Sequence, residues 1–378
     1  MTTQPTLEMH GPDHLVASLP YLLGFEPGES LVVVWTKGGR LLLTQRVDLP
    51  AEEHQVDLTE FANVLVRPLK DHDPDEAVLV VIEEVNDLAT AGARIVGDSH
   101  DEHRAAGEVG AFAAGSLPRS ELIDAVTTAA TELDVFVRDA IYISRGRFRS
   151  YLCVDDCCPV NGRVVDPVIA NSVAASFAVS GVSALPSRAD LVAVLEPDPI
   201  GVTRIEPLII DREQEIDDAL GSGGSAAVEA WRDEQVDHLA SMICGGEDLS
   251  DADTVAVLVG LCDVRVRDTL LWHLNAAHDR YGCLDRLLIA LRLAPNGYVA
   301  PIATCAALVA WLLGDGARAS IAIDRALNDD PEYSLAVLVG MSISVGLPPA
   351  AWKEVMAQLT VEACRARPLV KQEGPPAA

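Results

Sequence analysis

The sequence predicts a mixed α/β domain followed by an all-α domain, and three observations carry that reading. In the first half, short aliphatic runs such as SLVVVWT (residues 30–36) and AVLVVIE (residues 77–83) alternate with amphipathic stretches. Tight turn signals such as Lys37-Gly38-Gly39-Arg40 imply hairpins, so the sheet is mixed rather than purely parallel. Beyond DREQEIDD and GSGGSA (residues 211–226) nearly every segment has helical spacing.

Taken in order, apolar residues recur at helical spacing over residues 14–23, and Gly24 is placed to close that helix in the left-handed region. Pro27-Gly28 breaks the chain before the first strand, at 30–36. The second strand, at 41–49, is ended by Pro50; Thr44, Arg46 and Asp48 share one face, Leu43, Val47 and Leu49 the other. An amphipathic helix over 57–70 and a buried strand at 77–83 follow. Residues 86–117 lack periodicity and read as a loop or insertion with some helix. A helix over 120–133, with Pro118 in its first turn, precedes strands at 134–143 and 147–153 around Arg145-Gly146. Residues 161–167 are a turn-rich exit and 168–177 a helix.

The expected domains are a mixed α/β domain over 1–210, a linker or loop over 211–226, a helical domain over 227–366 and a frayed tail over 367–378. Helices are predicted at 228–242, 250–263, 265–278, 284–293, 302–313 and 318–327. Ile289-Ala290-Leu291 precedes Pro295 as Arg325-Ala326-Leu327 precedes Pro331, a spacing of about 36 residues, close to helical-hairpin repeats. With small residues at Ala307, Ala319 and Ala326, the pattern is tetratricopeptide-like; an ordinary helical bundle is the alternative. Trp272, Trp311 and Trp352 are expected as core anchors.

Across 378 residues, 49% are hydrophobic and 22% charged, a balance that predicts folded domains rather than disorder. A net charge of −29 repels nucleic acid. No apolar run reaches the roughly 18 residues that cross a membrane, and the N-terminus carries no signal-peptide pattern. The eight cysteines are too unevenly spread for a disulfide framework. The expectation is a cytoplasmic protein with reduced thiols and with neither nucleic acid nor membrane as partner. No phosphate-binding glycine loop, nucleophile elbow or His-Glu-x-x-His motif is present.

Against that acidic background, RGRFRSYLCVDDCCP (residues 145–159) concentrates three arginines, a tyrosine and three cysteines. As a strand, 147–153 would aim Arg147, Arg149, Tyr151 and Cys153 to one side. Same-side residues lie roughly 6–7 Å apart along a strand, a spacing that suits a guanidinium clamp on a phosphate or carboxylates. Arg145 could close over such an anion, and Tyr151 could stack on it or donate to it. The competing reading is neutralisation by nearby Asp134, Asp139, Asp155 and Asp156. The thiols admit three readings. Cys153-x3-Cys157 has zinc-ligand spacing, with Cys158, His100 or His103 completing the set. One thiol could be a nucleophile activated by adjacent cations. Otherwise they are packed or turn-stabilising thiols, with or without a redox-sensitive pair.

The segments LVASLPYLLGFEPGESLVVV, RVDLP and RGRFRSYLC with CCP and Gly162 resemble an actinobacterial family known as a domain of unknown function, DUF4192. So do WLLGDGARASIAIDRALNDDPEY and GLPPAAW in the helical half, and the resemblance spans roughly residues 14–352. It implies cytoplasmic proteins without an assigned activity, so no catalytic residue transfers, and it places Arg145–Cys153 and Cys157–Pro159 within the family pattern. The leading expectation is a non-enzymatic binding or scaffold protein. Its helical domain would contact a protein partner and its hairpin an anionic small molecule. The alternatives are a transferase or hydrolase with an arginine clamp and a cysteine nucleophile, and a zinc-stabilised structural module. Zinc is the single cofactor candidate.

Overall fold

One mixed sheet, in the order β2-β1-β3-β4-β5, organises the N-terminal half in a computed structural model that describes residues 9–50, 56–83, 117–153, 155 and 157–365. β1 (Ser30–Lys37) is apolar on both faces and lies between antiparallel β2 (Arg40–Val47) and β3 (Glu76–Glu83). β3 runs parallel to β4 (Phe136–Ser144), which pairs antiparallel with the short edge strand β5 (Arg147–Ser150). Both hairpin turns have two residues at positive φ: Gly38 and Gly39, then Arg145 and Gly146. That is the type I′ pattern, whose twist matches paired strands.

The alternation of side chains divides the sheet into two buried faces. Leu31, Val33 and Trp35 of β1, Leu79 and Val81 of β3, and Tyr142 of β4 pack with α2 (Leu58–Val66) and α3 (Ser120–Thr131). Leu43, Val47 and Leu49 join this cluster, the side of the second strand expected to be apolar. Val32, Val34, Val80, Ile141 and Phe148 are buried on the opposite face. There α1 (Pro12–Leu23) packs against α4 (Pro167–Val179), with the Tyr21 and Phe177 rings stacked at 4.6 Å. Gly24 closes α1 at φ 80°, as expected for a left-handed cap.

Several boundaries differ from expectation for local reasons. The helix predicted over 57–70 ends at Val66, and Pro68 continues it as a 3-10 turn, Arg67–Asp71. Pro118 precedes the N-cap of α3 instead of lying in its first turn; the N-cap is Arg119, at φ 60°. β4 starts at Phe136, because Asp134 turns in the left-handed region. β5 ends at Ser150, three residues short of the expected strand end. The expected insertion at 86–117 and tail at 367–378 lie, apart from Leu117, outside the described residues.

The chain divides into two compact units, Met1–Leu191 and Val192–Ala378. The segment 211–226, expected as a linker or loop, lies inside the long helical run α6 (Pro199–Cys244), which follows α5 (Arg188–Leu195). Arg212–Glu215 and Gln214–Asp218 contacts support its acidic turns, and the helix breaks at Gly224, at φ 63°. Gly-rich sequence lowers helix propensity by about 1 kcal/mol per residue, which localises the kink there. Further helices are α7 (Asp251–Gly260), α8 (Val264–Ala276), α9 (Arg280–Leu293), α10 (Val299–Leu312), α11 (Gly316–Asp329), α12 (Ser334–Ser344), α13 (Pro349–Ala357) and α14 (Val361–Arg365). Asp263, Asp279 and Asp315 cap α8, α9 and α11 through backbone N–H groups.

α10 is buried along its whole length, and α11 packs on it with Ala307, Ala319 and Ala326 fully buried. Of the tryptophans expected in the core, Trp311 is buried, whereas Trp272 and Trp352 are half-buried. Among the described residues no helix is long and apolar enough to cross a membrane.

Trp35 is fully buried and donates from Nε1 to Gln45 Oε1 at 2.6 Å. Trp35→Ala therefore removes about 3–5 kcal/mol from the N-terminal unit, read as a lower urea midpoint by circular dichroism.

Candidate functional site

The Arg145–Gly146 turn and β5 form the outer edge of the sheet, and the chain beyond β5 folds back over that edge. Phe148 exchanges both backbone hydrogen bonds with Arg163, at 2.8 and 3.0 Å. The Arg163 guanidinium lies 4.7 Å from the Phe148 ring centre and pairs at 2.5 Å with Asp13, a buried carboxylate at the start of α1. Asp13 also accepts from the Asp166 N–H. The return segment is thus clamped to the sheet by a cation shared between an aromatic face and an acid.

The expected guanidinium clamp divides into separate roles. Arg147 donates to the carbonyls of Asn161 at 2.8 Å and Gly162 at 3.0 Å, so it ties down the return loop. Tyr151 donates to the Pro118 carbonyl at 2.6 Å and meets Tyr142 edge-on. Burial holds both phenols above their ordinary range, assisted at Tyr142 by its bond to Glu83. Arg145 is exposed on the turn. Arg149 stands opposite Tyr142 in the strand register, and its Nε is buried without a hydrogen-bond partner. Asp134, Asp139 and Asp155 pair with none of these arginines among the described residues; Asp139 instead accepts from Ser150 Oγ at 2.6 Å.

Behind the hairpin lies a polar group that sequence reading did not single out. Tyr142 donates to the Glu83 carboxylate, which also pairs with Arg119 at 3.0 Å, and Arg119 reaches the Pro50 carbonyl. Glu83 ends β3 in register with Ser144, near the end of its parallel neighbour. Ligands of open α/β sheets gather at such carboxyl ends. Asp13 and Arg163 were equally hidden, because their partners are distant in sequence.

The thiols converge more closely than β5 alone would allow. Ser150 Oγ accepts from the N–H groups of Leu152 and Cys153, which turns the chain out of the strand. Cys158 N–H donates to the Asp155 carbonyl. The three sulfurs of Cys153, Cys157 and Cys158 then lie within 4.8 Å of one another, with Cys153 and Cys157 at 3.4 Å. A hydrogen bond from the Asp155 backbone, aided by the neighbouring thiols, holds Cys153 below its usual range. The shared bond to Cys153 pushes Cys157 up to about 11. Of these two thiols, Cys153 is therefore the one that gives up its proton more readily. His100 and His103 lie outside the described residues.

A model of a domain of unknown function (DUF4192) matches residues 12–350. The chain belongs to the DUF4192 family. No curated protein and no solved structure matches it. The DUF4192 match takes in the sheet, the return loop with its three cysteines and the helices up to the start of α13.

Gly162 holds this loop against the edge at φ +65°, where a Cβ would stand 3.1 Å from the Phe148 carbonyl oxygen. Gly162→Ala meets both a left-handed backbone, at about 1–2 kcal/mol, and a close contact. It is expected to lower the thermal midpoint and to raise proteolysis between Cys153 and Arg163, read by limited digestion and mass spectrometry.

Proposed function

We propose that this DUF4192 protein is a non-enzymatic binding protein whose sheet edge holds a phosphate- or carboxylate-bearing ligand through Arg149, with Arg145 closing over it. The observation that supports this most strongly is the state of Arg149. Arg46, Arg163, Arg280, Arg286, Arg318 and Arg365 also have a buried unpartnered nitrogen, but each reaches an acceptor through another nitrogen. Arg149 forms no hydrogen bond or ion pair through its side chain among the described residues. A buried donor without an acceptor costs about 1–3 kcal/mol, a penalty that an anion at this edge removes. In a protein of net charge −29, Arg149 adds a positive charge beside Tyr142 and the Glu83–Arg119 ion pair.

A protein partner at the helical unit is supported by a different feature. Leu338, Met341 and Val345, on α12 and its C-cap, are exposed apolar side chains at spacings that share one helical face. Paired helices with buried small residues, as in α10 and α11, suit a tetratricopeptide-like scaffold, and the expected setting is the cytoplasm.

The test is a thermal-shift titration of the full chain with orthophosphate, pyrophosphate and citrate. At least one is expected to raise the midpoint in a concentration-dependent manner. Arg149→Gln should weaken that response about 10- to 100-fold, the worth of a charged hydrogen bond of about 1.5–3 kcal/mol. Arg147→Gln should lower the midpoint without ligand and keep the response. An equal response in Arg149→Gln and the parent removes the anion reading.

A further inference from the structure

The three thiols beyond β5 are arranged as donors to one ion, an observation independent of Arg149. We propose that Cys153, Cys157 and Cys158 bind a single zinc ion through three thiolates and leave its fourth position to water or an incoming ligand. A tetrahedral zinc with bonds of about 2.3 Å to sulfur places neighbouring sulfurs roughly 3.8 Å apart. The 3.4 Å between the Cys153 and Cys157 sulfurs lies close to that value, and all three sulfurs fall within 4.8 Å of one another, so the set is close to ligand spacing. Among the described residues of a chain with 57 Asp and Glu, no other group of three or more Cys, His, Asp or Glu converges in this way.

The packing of the loop points the same way. Leu152, Val160 and Val164, apolar residues flanking the thiols, are 58, 47 and 56% exposed, so these side chains give the loop little core. What fixes it is Arg147 and the Phe148–Arg163 bridge at one end and the Ser150 turn at the other. Segments that cannot bury apolar surface are commonly cross-linked by metal or disulfide. A disulfide would use two sulfurs and leave the third without a role, whereas a metal uses all three. Zinc also suits sulfur donors and needs no redox partner. On binding, each thiol releases its proton to solvent as its sulfur–zinc bond forms, so three thiolates and Zn(II) leave one net negative charge. The thiols are within reach of an ion from solvent, since Cys157 is exposed and its two companions are half-buried.

The experiment uses the full chain, reduced and stripped with a chelator. Cobalt(II) is expected to produce thiolate-to-metal charge-transfer absorption that saturates at one equivalent and is displaced by zinc. Cys157→Ser and Cys158→Ser should each weaken cobalt and zinc binding about 100-fold or more, since even outer-shell changes at such sites cost about 10- to 100-fold. Cys262→Ser, at an exposed cysteine of the helical unit, should leave binding unchanged. The proposal is overturned if the reduced chain gives no thiolate–cobalt absorption, or if the spectrum survives both substitutions in variants with parental circular dichroism. Arg149→Gln is expected to keep the cobalt spectrum, so failure of anion binding and failure of metal binding are read separately.

Discussion

The parallel pairing of β3 with β4 decides where everything else in the N-terminal unit lies. Parallel neighbours cannot be joined by a tight turn, so the chain leaves β3 at Glu83 and returns to β4 at Phe136 by way of α3. That crossover carries Arg119 back against Glu83 and lays α3 beside α2 over Leu79, Val81 and Tyr142. It also commits β4 to a central position. The hairpin that follows can then grow only outward, which makes β5 the edge and sets the arginines and thiols at its rim.

Much of the sheet was legible because its signals are local. The aliphatic runs of β1 and β3, the two hairpin turns and the glycine after α1 each carry their own pattern within a few residues. The helical half was legible as a class, but GSGGSA misled: glycine and serine suggest a flexible connector, while the acidic turns before them and the residues after them continue a helix that bends only at Gly224. Composition reports backbone cost, whereas the outcome depends on what the flanking turns contribute. Residues 178–210 offer no comparably local signal, although α5 and the start of α6 lie there.

At the hairpin the limit of sequence reasoning was range. Alternation set Arg147, Arg149, Tyr151 and Cys153 on one side, but it could not show that Arg147 bends around the edge to carbonyls fourteen and fifteen residues away. Nor could it show that the strand ends where Ser150 captures two N–H groups. Spacing made a thiol cluster plausible, yet the convergence of Cys158 on the other two depends on turns that follow from those captures. The contacts that fix the loop, Asp13 with Arg163 and Arg147 with Gly162, join residues whose proximity no local pattern encodes.

The bridge between Phe148 and Arg163 has a further effect on how copies of this chain meet in solution. An uncovered border strand offers its free N–H and C=O groups as a template on which another polypeptide can add itself. In the four-residue β5 both backbone groups of Phe148 are already occupied by the protein's own Arg163. The Asp13 pairing holds that residue in place. At Phe148 the border is therefore closed from within, and strand addition at that point is opposed without relying on charge repulsion.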